Sequence, residues 1–268
     1  MGRVAVSGRW VVLLHGQPGS GADWKQVTER LPRGLGVLAP DRPGYGASRR
    51  PAGGFAAGAR AVLADMDARG IDQALLVGHS YGGGVALAAA RLAPERVAGL
   101  VLLASVGPGC LTGADRPLAA PVSGELCALM AWRLTPWLAR AGLAAMARLR
   151  RRPLAADEHV NWQTWGYAHH DHGPVWRSFL TEQRALTREL DDLAASLPDV
   201  AQPALLMADP HDRIIPIRAT HRLATALPDA RVELLNGPGH HLPRRAAPQI
   251  ADAIAGFLDT LDDQGAAA

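Results

Sequence analysis

Lysine is nearly absent from this chain. Of its 28 basic residues only Lys25 is a lysine, and the formal net charge is just +3 despite an isoelectric point near 9.3. The arginines are spread along the sequence, which reads as coding composition rather than as a nucleic-acid surface. Their densest cluster, Arg148, Arg150, Arg151 and Arg152, reads as a solvated helix end. Cysteine is scarce too: Cys110 and Cys127 have no metal-site spacing, and nothing marks an oxidising compartment. The opening stretch MGRVAVSGRWVVLLHG lacks the long apolar core of a signal peptide, and Val6 breaks the N-myristoylation pattern. The longest apolar stretch, Val97 to Ala104, is far too short to span a bilayer. These absences predict a soluble, cytoplasmic protein with no nucleic-acid partner and no membrane span, and they leave its oligomeric state open.

What is present is an ordinary globular composition, 48% hydrophobic and 20% charged. A length of 268 residues suits one sizeable domain with an insertion, or at most two small ones. Short β-type runs at Trp10–Leu14, Val37–Ala39, Ala74–Val77 and Val97–Ala104 alternate with helical patterns at Asp23–Leu31, Phe55–Arg69 and Gly83–Ala93. The alternation returns with strands at Ala204–Ala208 and Arg231–Leu235 and helices at Ile217–Leu227 and Ala246–Leu261, before a frayed tail at Asp262–Ala268. This pattern predicts an α/β fold, a mostly parallel twisted sheet flanked by helices. Between Gly107 and Pro198 it stops. That segment reads as helices broken by Pro and Gly, and it holds five of the seven tryptophans, Trp132, Trp137, Trp162, Trp165 and Trp176. An all-helical insert cannot join the sheet, so it is expected to form a cap at the strand ends, where such sheets bind ligands. The expected division is a core of residues 1–106 and 199–268 with a helical cap at 107–198. Some of the five tryptophans are expected to line a substrate cavity and others to pack.

The stretch LLVGHSYGGG carries the chemistry. Gly78-His79-Ser80-Tyr81-Gly82 fits G-x-S-x-G between an apolar strand and a helix. A serine hydroxyl is a weak nucleophile that needs exposure and an adjacent base. A sharp turn provides both, and it brings neighbouring chains so close that side chains at 78 and 82 would collide. The helix that follows aims its N-terminal amides at Ser80. His79, next to the serine on a tight turn, is expected to pack beneath it. Downstream, ADPHDRIIP follows one strand with Asp209 and Asp212, and NGPGHHLP follows the next with His240 and His241. All these loops fall at the C-terminal edge of the sheet with Ser80, so a carboxylate and an imidazole could reach the hydroxyl.

Taken together, these segments resemble the α/β-hydrolase fold family over essentially the whole chain. HGQPGS at His15–Ser20 is similar to the family's H-G-x-P-G-S loop, DRPGYGAS at Asp41–Ser48 to its D-x-x-G-x-G-x-S turn, and GHSYGG to its nucleophile elbow. Asp212–Pro216 and Gly239–His240 match its acid and base loops. The resemblance implies Ser80 as nucleophile, Asp212 as orienting acid and His240 as base, in preference to Asp209 and His241. Asp209 stands where the family usually has glycine. The strand before, ending LLASVG, offers only Ser105 where some members place the acid. The backbone N–H groups of Gln17 and Tyr81 would form the oxyanion hole. His15 would brace its loop, and Asp41 with Gly44–Ser48 would form a rigid turn near the mouth. Only nine residues precede the first strand, too few for the family's first antiparallel strands, so a trimmed sheet edge or a misassigned start is expected.

Two patterns are set aside. His169, His170, Asp171 and His172 are consecutive and lack a spaced partner set, so they read as an exposed turn rather than a metal site. GLGVLA at Gly34–Ala39 leads into a strand rather than from strand to helix, so it implies no dinucleotide site. The expectation is therefore a hydrolase needing no cofactor and no metal, acting on a small hydrophobic ester, lactone or thioester through an acyl-enzyme, with activity rising as His240 loses its proton. Carbon–carbon bond hydrolases, perhydrolases (cofactor-free haloperoxidases) and natural-product hydrolases or cyclases share the scaffold. A non-catalytic ligand-binding member is the alternative from another class.

Overall fold

In the computed structural model, residues 9–128, 130, 168–169 and 173–267 are described. Six strands, β1 (Trp10–Leu14), β2 (Gly36–Leu38), β3 (Ala74–His79), β4 (Val97–Leu103), β7 (Ala204–Ala208) and β8 (Ala230–Leu234), form one sheet. Its order is β2-β1-β3-β4-β7-β8, and every neighbouring pair is parallel. Two further short strands, β5 (Ala168–His169) and β6 (Gly173–Pro174), pair antiparallel outside it. The sheet itself matches the α/β pattern expected from the sequence. The segment between Gly107 and Pro198, expected to be all helical, contains this small strand pair.

Strands buried on both faces need apolar residues at successive positions, and the period of two still sorts them. Val12, Leu14, Leu76, Leu100, Leu102 and Leu206 face one core, whereas Val11, Leu13, Leu75, Val77, Val101 and Leu205 face the other. On the first face pack α2 (Phe55–Asp67), α3 (Tyr81–Leu92), α5 (Val175–Ala195) and α6 (Ile217–Ala226). On the second pack the short α1 (Lys25–Thr28) and the long C-terminal α8 (Ala247–Ala267), with α7 (Leu242–Arg245) leading into it. Full burial of each such Val or Leu contributes about 1.5–3 kcal/mol. A small helix, α4 (Asp115–Ala119), follows β4 and touches α5. The expected frayed tail is instead helical to Ala267.

Sequence order runs from β1 outward to β2 and then back across to β3, so the order in which strands are added reverses between β1 and β3. The loops leaving those two strands diverge there and open a crevice, the usual ligand position in such sheets. His15–Gln17 leaves β1 and Ser80 leaves β3. No helix among the described residues is long and apolar enough to cross a membrane.

Candidate active site

Ser80 has φ 53° and ψ −120°, a backbone conformation sparsely populated by any residue with a side chain. Its surroundings dictate that geometry. The Ser80 N–H donates to the Leu103 carbonyl at 2.9 Å, and the Ser80 carbonyl accepts from Gly83 at 3.0 Å and Val106 at 3.2 Å. A Cβ on Gly78 would come within 2.5 Å of the Gly83 Cα, and one on Gly82 within 2.6 Å of the His15 carbonyl oxygen. The turn closes only because both positions are glycine.

The structure brings Ser80, His240 and Asp212 together. Nε2 of His240 lies 3.2 Å from the Ser80 Oγ, and Nδ1 lies 2.8 Å from Oδ2 of Asp212. Asp212 follows β7, His240 follows β8, and the side chains of both are nearly buried. The other Asp212 oxygen accepts the Ile214 and Ile215 N–H groups at 2.7 and 3.0 Å, which fixes the carboxylate plane. An ionised carboxylate only accepts, so the His240 proton sits on Nδ1 and Nε2 is left to accept from the serine hydroxyl.

Asp209, the second acid weighed from the sequence, has a different task. Its Oδ2 accepts the N–H groups of Gly237 and Gly239, and its Oδ1 accepts that of His211. These bonds, the one from His211 foremost, hold its carboxyl below the ordinary range against the opposing effect of burial. It ties the loop carrying His240 to the loop carrying Asp212. His241 lies edge-on to His240 with ring centres 5.7 Å apart, and burial together with that neighbour lowers its pKa to about 4.

His79 does more than pack beneath the turn. Its Nε2 lies 2.8 Å from the His240 carbonyl oxygen, which can only accept, so Nε2 carries the proton. Burial first, and the nearby His240 second, push its pKa well below the ordinary imidazole value. It is therefore a neutral donor that holds the backbone of the residue beside Ser80. Nothing in G-H-S-Y-G announces this partner, which lies 161 residues away.

Tyr81 follows Ser80 as the first residue of α3, and Gln17, on the loop after β1, lines the same cavity as Ser80. A first-turn N–H has no carbonyl one turn back to bind. The Gln17 side chain joins a polar line the sequence did not reveal: its Nε2 donates to Gln183 at 2.9 Å, and Gln183 donates to Asp115 at 2.7 Å. His15 and Asp41 brace their loops by hydrogen bonds to backbone groups of Gly16, Arg42, Gly21 and Ala47.

Ser80 opens into a cavity of about 500 Å³. Val106, Leu111, Leu118, Phe179, Leu186 and Ile215 supply apolar walls, and Gln17, Gln183 and Asp115 a polar strip. Arg244 reaches the same cavity paired with Asp23. Cys110 also lines it, its thiol pushed up to about 11 by burial and so neutral. Of the five tryptophans expected near substrate, Trp132, Trp137, Trp162 and Trp165 lie outside the described residues. Trp176 is not among the lining residues. It stands on the first turn of α5, one turn before Phe179, and lines a separate open hollow with Pro121, Val122, Glu125 and Leu126, with the Arg177 guanidinium 5.2 Å from its ring centre. Among the described residues no group of three or more His, Cys, Asp or Glu could hold a metal ion. His170, Asp171 and His172 are outside them.

Comparison with known proteins agrees with this architecture. The profile of a family described as "Alpha/beta hydrolase family" matches residues 11–253. A 2-hydroxymuconate semialdehyde hydrolase of Pseudomonas putida is 32% identical over 253 residues, covering 92% of this chain and 83% of the relative. A pimeloyl-[acyl-carrier protein] methyl ester esterase of Aromatoleum aromaticum is 31% identical, covering 92% of this chain and 98% of that one. Among solved structures, a thermophilic esterase from Thermogutta terrifontis superposes with a TM-score of 0.74 at 22% identity, covering 95% of this chain and 90% of that one.

Proposed function

The chain belongs to the alpha/beta hydrolase family, and on that premise we propose that it is a serine hydrolase of neutral, mostly apolar carboxylic esters, lactones or thioesters. The observation that carries this reading is the unbroken line from the Ser80 Oγ through His240 to Asp212 at 3.2 and 2.8 Å. Along it, Nε2 of His240 takes the hydroxyl proton as the Ser80 oxygen bonds to the acyl carbon. The carbonyl oxygen becomes an oxyanion and meets the N–H groups of Gln17 and Tyr81. Collapse expels the alcohol, which takes the proton from His240. Water repeats the sequence on the acyl-enzyme and releases the acid. Asp212 keeps the imidazole in one tautomer and stabilises it while it is charged.

In this reading the expected cap, 107–198, takes part in binding through its described residues Asp115, Leu118, Phe179, Gln183 and Leu186, which wall the cavity. A volume of about 500 Å³ suits a small ligand. Arg244 already shares its charge with Asp23, which favours a neutral substrate over an anionic one. The Gln17–Gln183–Asp115 strip can bind one polar group on an otherwise apolar acyl chain.

Reaction with a fluorophosphonate probe followed by peptide mapping tests the nucleophile. Ser80 is expected to carry the label, and Ser80→Ala to lose both label and turnover; ester hydrolysis at full rate by Ser80→Ala would overturn the proposal. The Pseudomonas putida relative supports a second reading, carbon–carbon bond hydrolysis of a substrate like the semialdehyde in its name. Assays of an ester series beside such a semialdehyde separate the two, and at least a tenfold higher kcat/KM for one class decides between them.

A further inference from the structure

A peptide unit is planar, so the direction of the Gln17 N–H is set by where the Gly16 carbonyl points. That carbonyl is held from two sides. Nη2 of Arg42 donates to it at 2.9 Å, and Nδ1 of His15 lies 2.8 Å from it. The Arg42 N–H donates to Nε2 of His15 at 2.9 Å, so the imidazole proton is on Nδ1 and the second contact is also a donated hydrogen bond. Nε of Arg42 adds a bond to the His15 carbonyl at 2.7 Å.

The guanidinium is in turn gripped by Glu182 of α5. Nη1 and Nη2 of Arg42 donate to the two Glu182 oxygens, and the Tyr45 hydroxyl donates to Oε2 at 2.7 Å. Arg42 and Glu182 are each only 2% exposed. The guanidinium carbon lies 5.1 Å from the ring centre of Tyr81, the residue whose N–H is the other oxyanion donor. One cation thus touches the peptide of the first donor and the ring of the second. Buried ion pairs contribute little to stability beyond what apolar residues of the same volume would give. Its position beside the Gly16–Gln17 peptide points to a task at the reacting centre.

We propose that Arg42 is a positioning residue for the oxyanion hole and that Glu182 holds it in place. The fork of Arg42, anchored on α5, pulls on the Gly16 carbonyl and thereby both aims and polarises the Gln17 N–H. This rests on the reading of Ser80 as nucleophile and Gln17 as donor. Because α5 also lines the cavity with Phe179, Gln183 and Leu186, an acyl group that presses on the helix bears on the hole as well.

Two variants test it. Arg42→Lys keeps a cation for Glu182 but has no fork to bond the carboxylate and two carbonyls together. The double variant Arg42→Met with Glu182→Leu removes the pair as a unit and leaves no buried charge alone. Each is measured for melting temperature, for kcat and KM on a p-nitrophenyl ester, for the pH midpoint of kcat, and for affinity towards an aryl boronic acid, whose tetrahedral adduct occupies the hole. A whole oxyanion donor is worth about 10²–10³ in kcat. Misaiming one is expected to lower kcat and boronic-acid affinity together, by about 10- to 100-fold, with KM and the pH midpoint unchanged. A folded variant with wild-type kcat and adduct affinity overturns the proposal. So does failure of both variants to fold, because the pair would then serve the fold. An error in the underlying reading would show separately, as a wild-type enzyme whose Ser80 fails to react with fluorophosphonate.

Discussion

Replacing Gly82 by alanine challenges the tightest approach to main-chain atoms at the turn. The added Cβ would lie 2.6 Å from the His15 carbonyl oxygen and nearer still to that of Leu14, whereas ordinary contact begins at 3.4 Å. Both oxygens are main chain at the end of β1, so no side chain can rotate aside. To clear the His15 oxygen α3 and the end of β1 must separate by about 0.8 Å, and to clear that of Leu14 by more. Overpacking usually costs about 1–3 kcal/mol, and rigid backbone on both sides places this case at about 3 kcal/mol. For a chain of this size that corresponds to a fall in Tm of about 6–12 °C. The same movement carries His15–Gln17 away from Ser80, and a misplacement near 1 Å can lower a rate by about 100-fold. Thermal melting and steady-state hydrolysis of a p-nitrophenyl ester read both effects. Gly256→Ala is the control: this glycine is exposed in the middle of α8 with nothing within 4 Å of a new Cβ. There alanine is expected to add about 0.5–1 kcal/mol of stability. A Gly82→Ala protein that melts with the wild type and turns over at its rate refutes the reasoning.

Other expectations follow from the hydrogen bonds of the site. Asp212→Asn can keep the Ile214 and Ile215 bonds but presents an amide N–H₂ to Nδ1 of His240, which forces the wrong tautomer; kcat is expected to fall by about 10³–10⁴ with little change in Tm, and a loss below tenfold would count against the role. His79→Phe fills the same space without a donor, so the His240 carbonyl keeps only its bond from the Leu242 N–H; unfolding in urea should show a loss of about 0.5–1.5 kcal/mol. Both His79 and His241 are held below the unfolded value of 6.5. Below pH 6.5 the unfolded chain therefore binds more protons, and stability should decline as pH falls from 6.5 towards 4. Fully buried His79 can contribute up to about 1.4 kcal/mol per pH unit, and partly exposed His241 less because solvent screens it. Urea titrations at pH 7 and pH 5 check the sign, and the His79→Phe variant should show the shallower slope.

Ser80 and Asp212 were legible because each stands just past an apolar strand, and His240 because it lies in a loop after β8 whose glycines and prolines mark a sharp turn. The order of the sheet brings those loops to one edge, and the family resemblance was needed to choose Asp212 over Asp209 and His240 over His241. His79 and Arg42 were illegible for the opposite reason. Both sit in recognisable motifs, but their partners lie 161 and 140 residues away and carry no motif of their own. Glu182 did leave one trace. Val175, Phe179, Glu182, Leu186, Leu190 and Leu193 recur at spacings of three and four along α5, an apolar stripe with a single acid in it. A carboxylate at such a position must find a buried cation, and Arg42 is the one it finds. Trp176 misled because aromatic content says nothing of which turn of a helix reaches the cavity.

The strain at Ser80 commits a second loop of the site. A serine held at φ 53° carries about 1–3 kcal/mol of backbone strain. It cannot relax, because its N–H is bonded to Leu103 in β4 and its carbonyl to Gly83 and Val106. The loop after β4 is therefore committed to holding the bend. Ser105 there bonds the Val106 carbonyl at 2.9 Å and lies where any Cβ on Gly83 would strike it. A carboxylate in place of Ser105 would have to occupy the space that the first turn of α3 fills. The next strand, β7, leads into Asp212, whose orientation two backbone N–H groups already fix. The turn and the loop after β4 thus hold each other in place, while Asp212 bonds His240 from the neighbouring strand's loop.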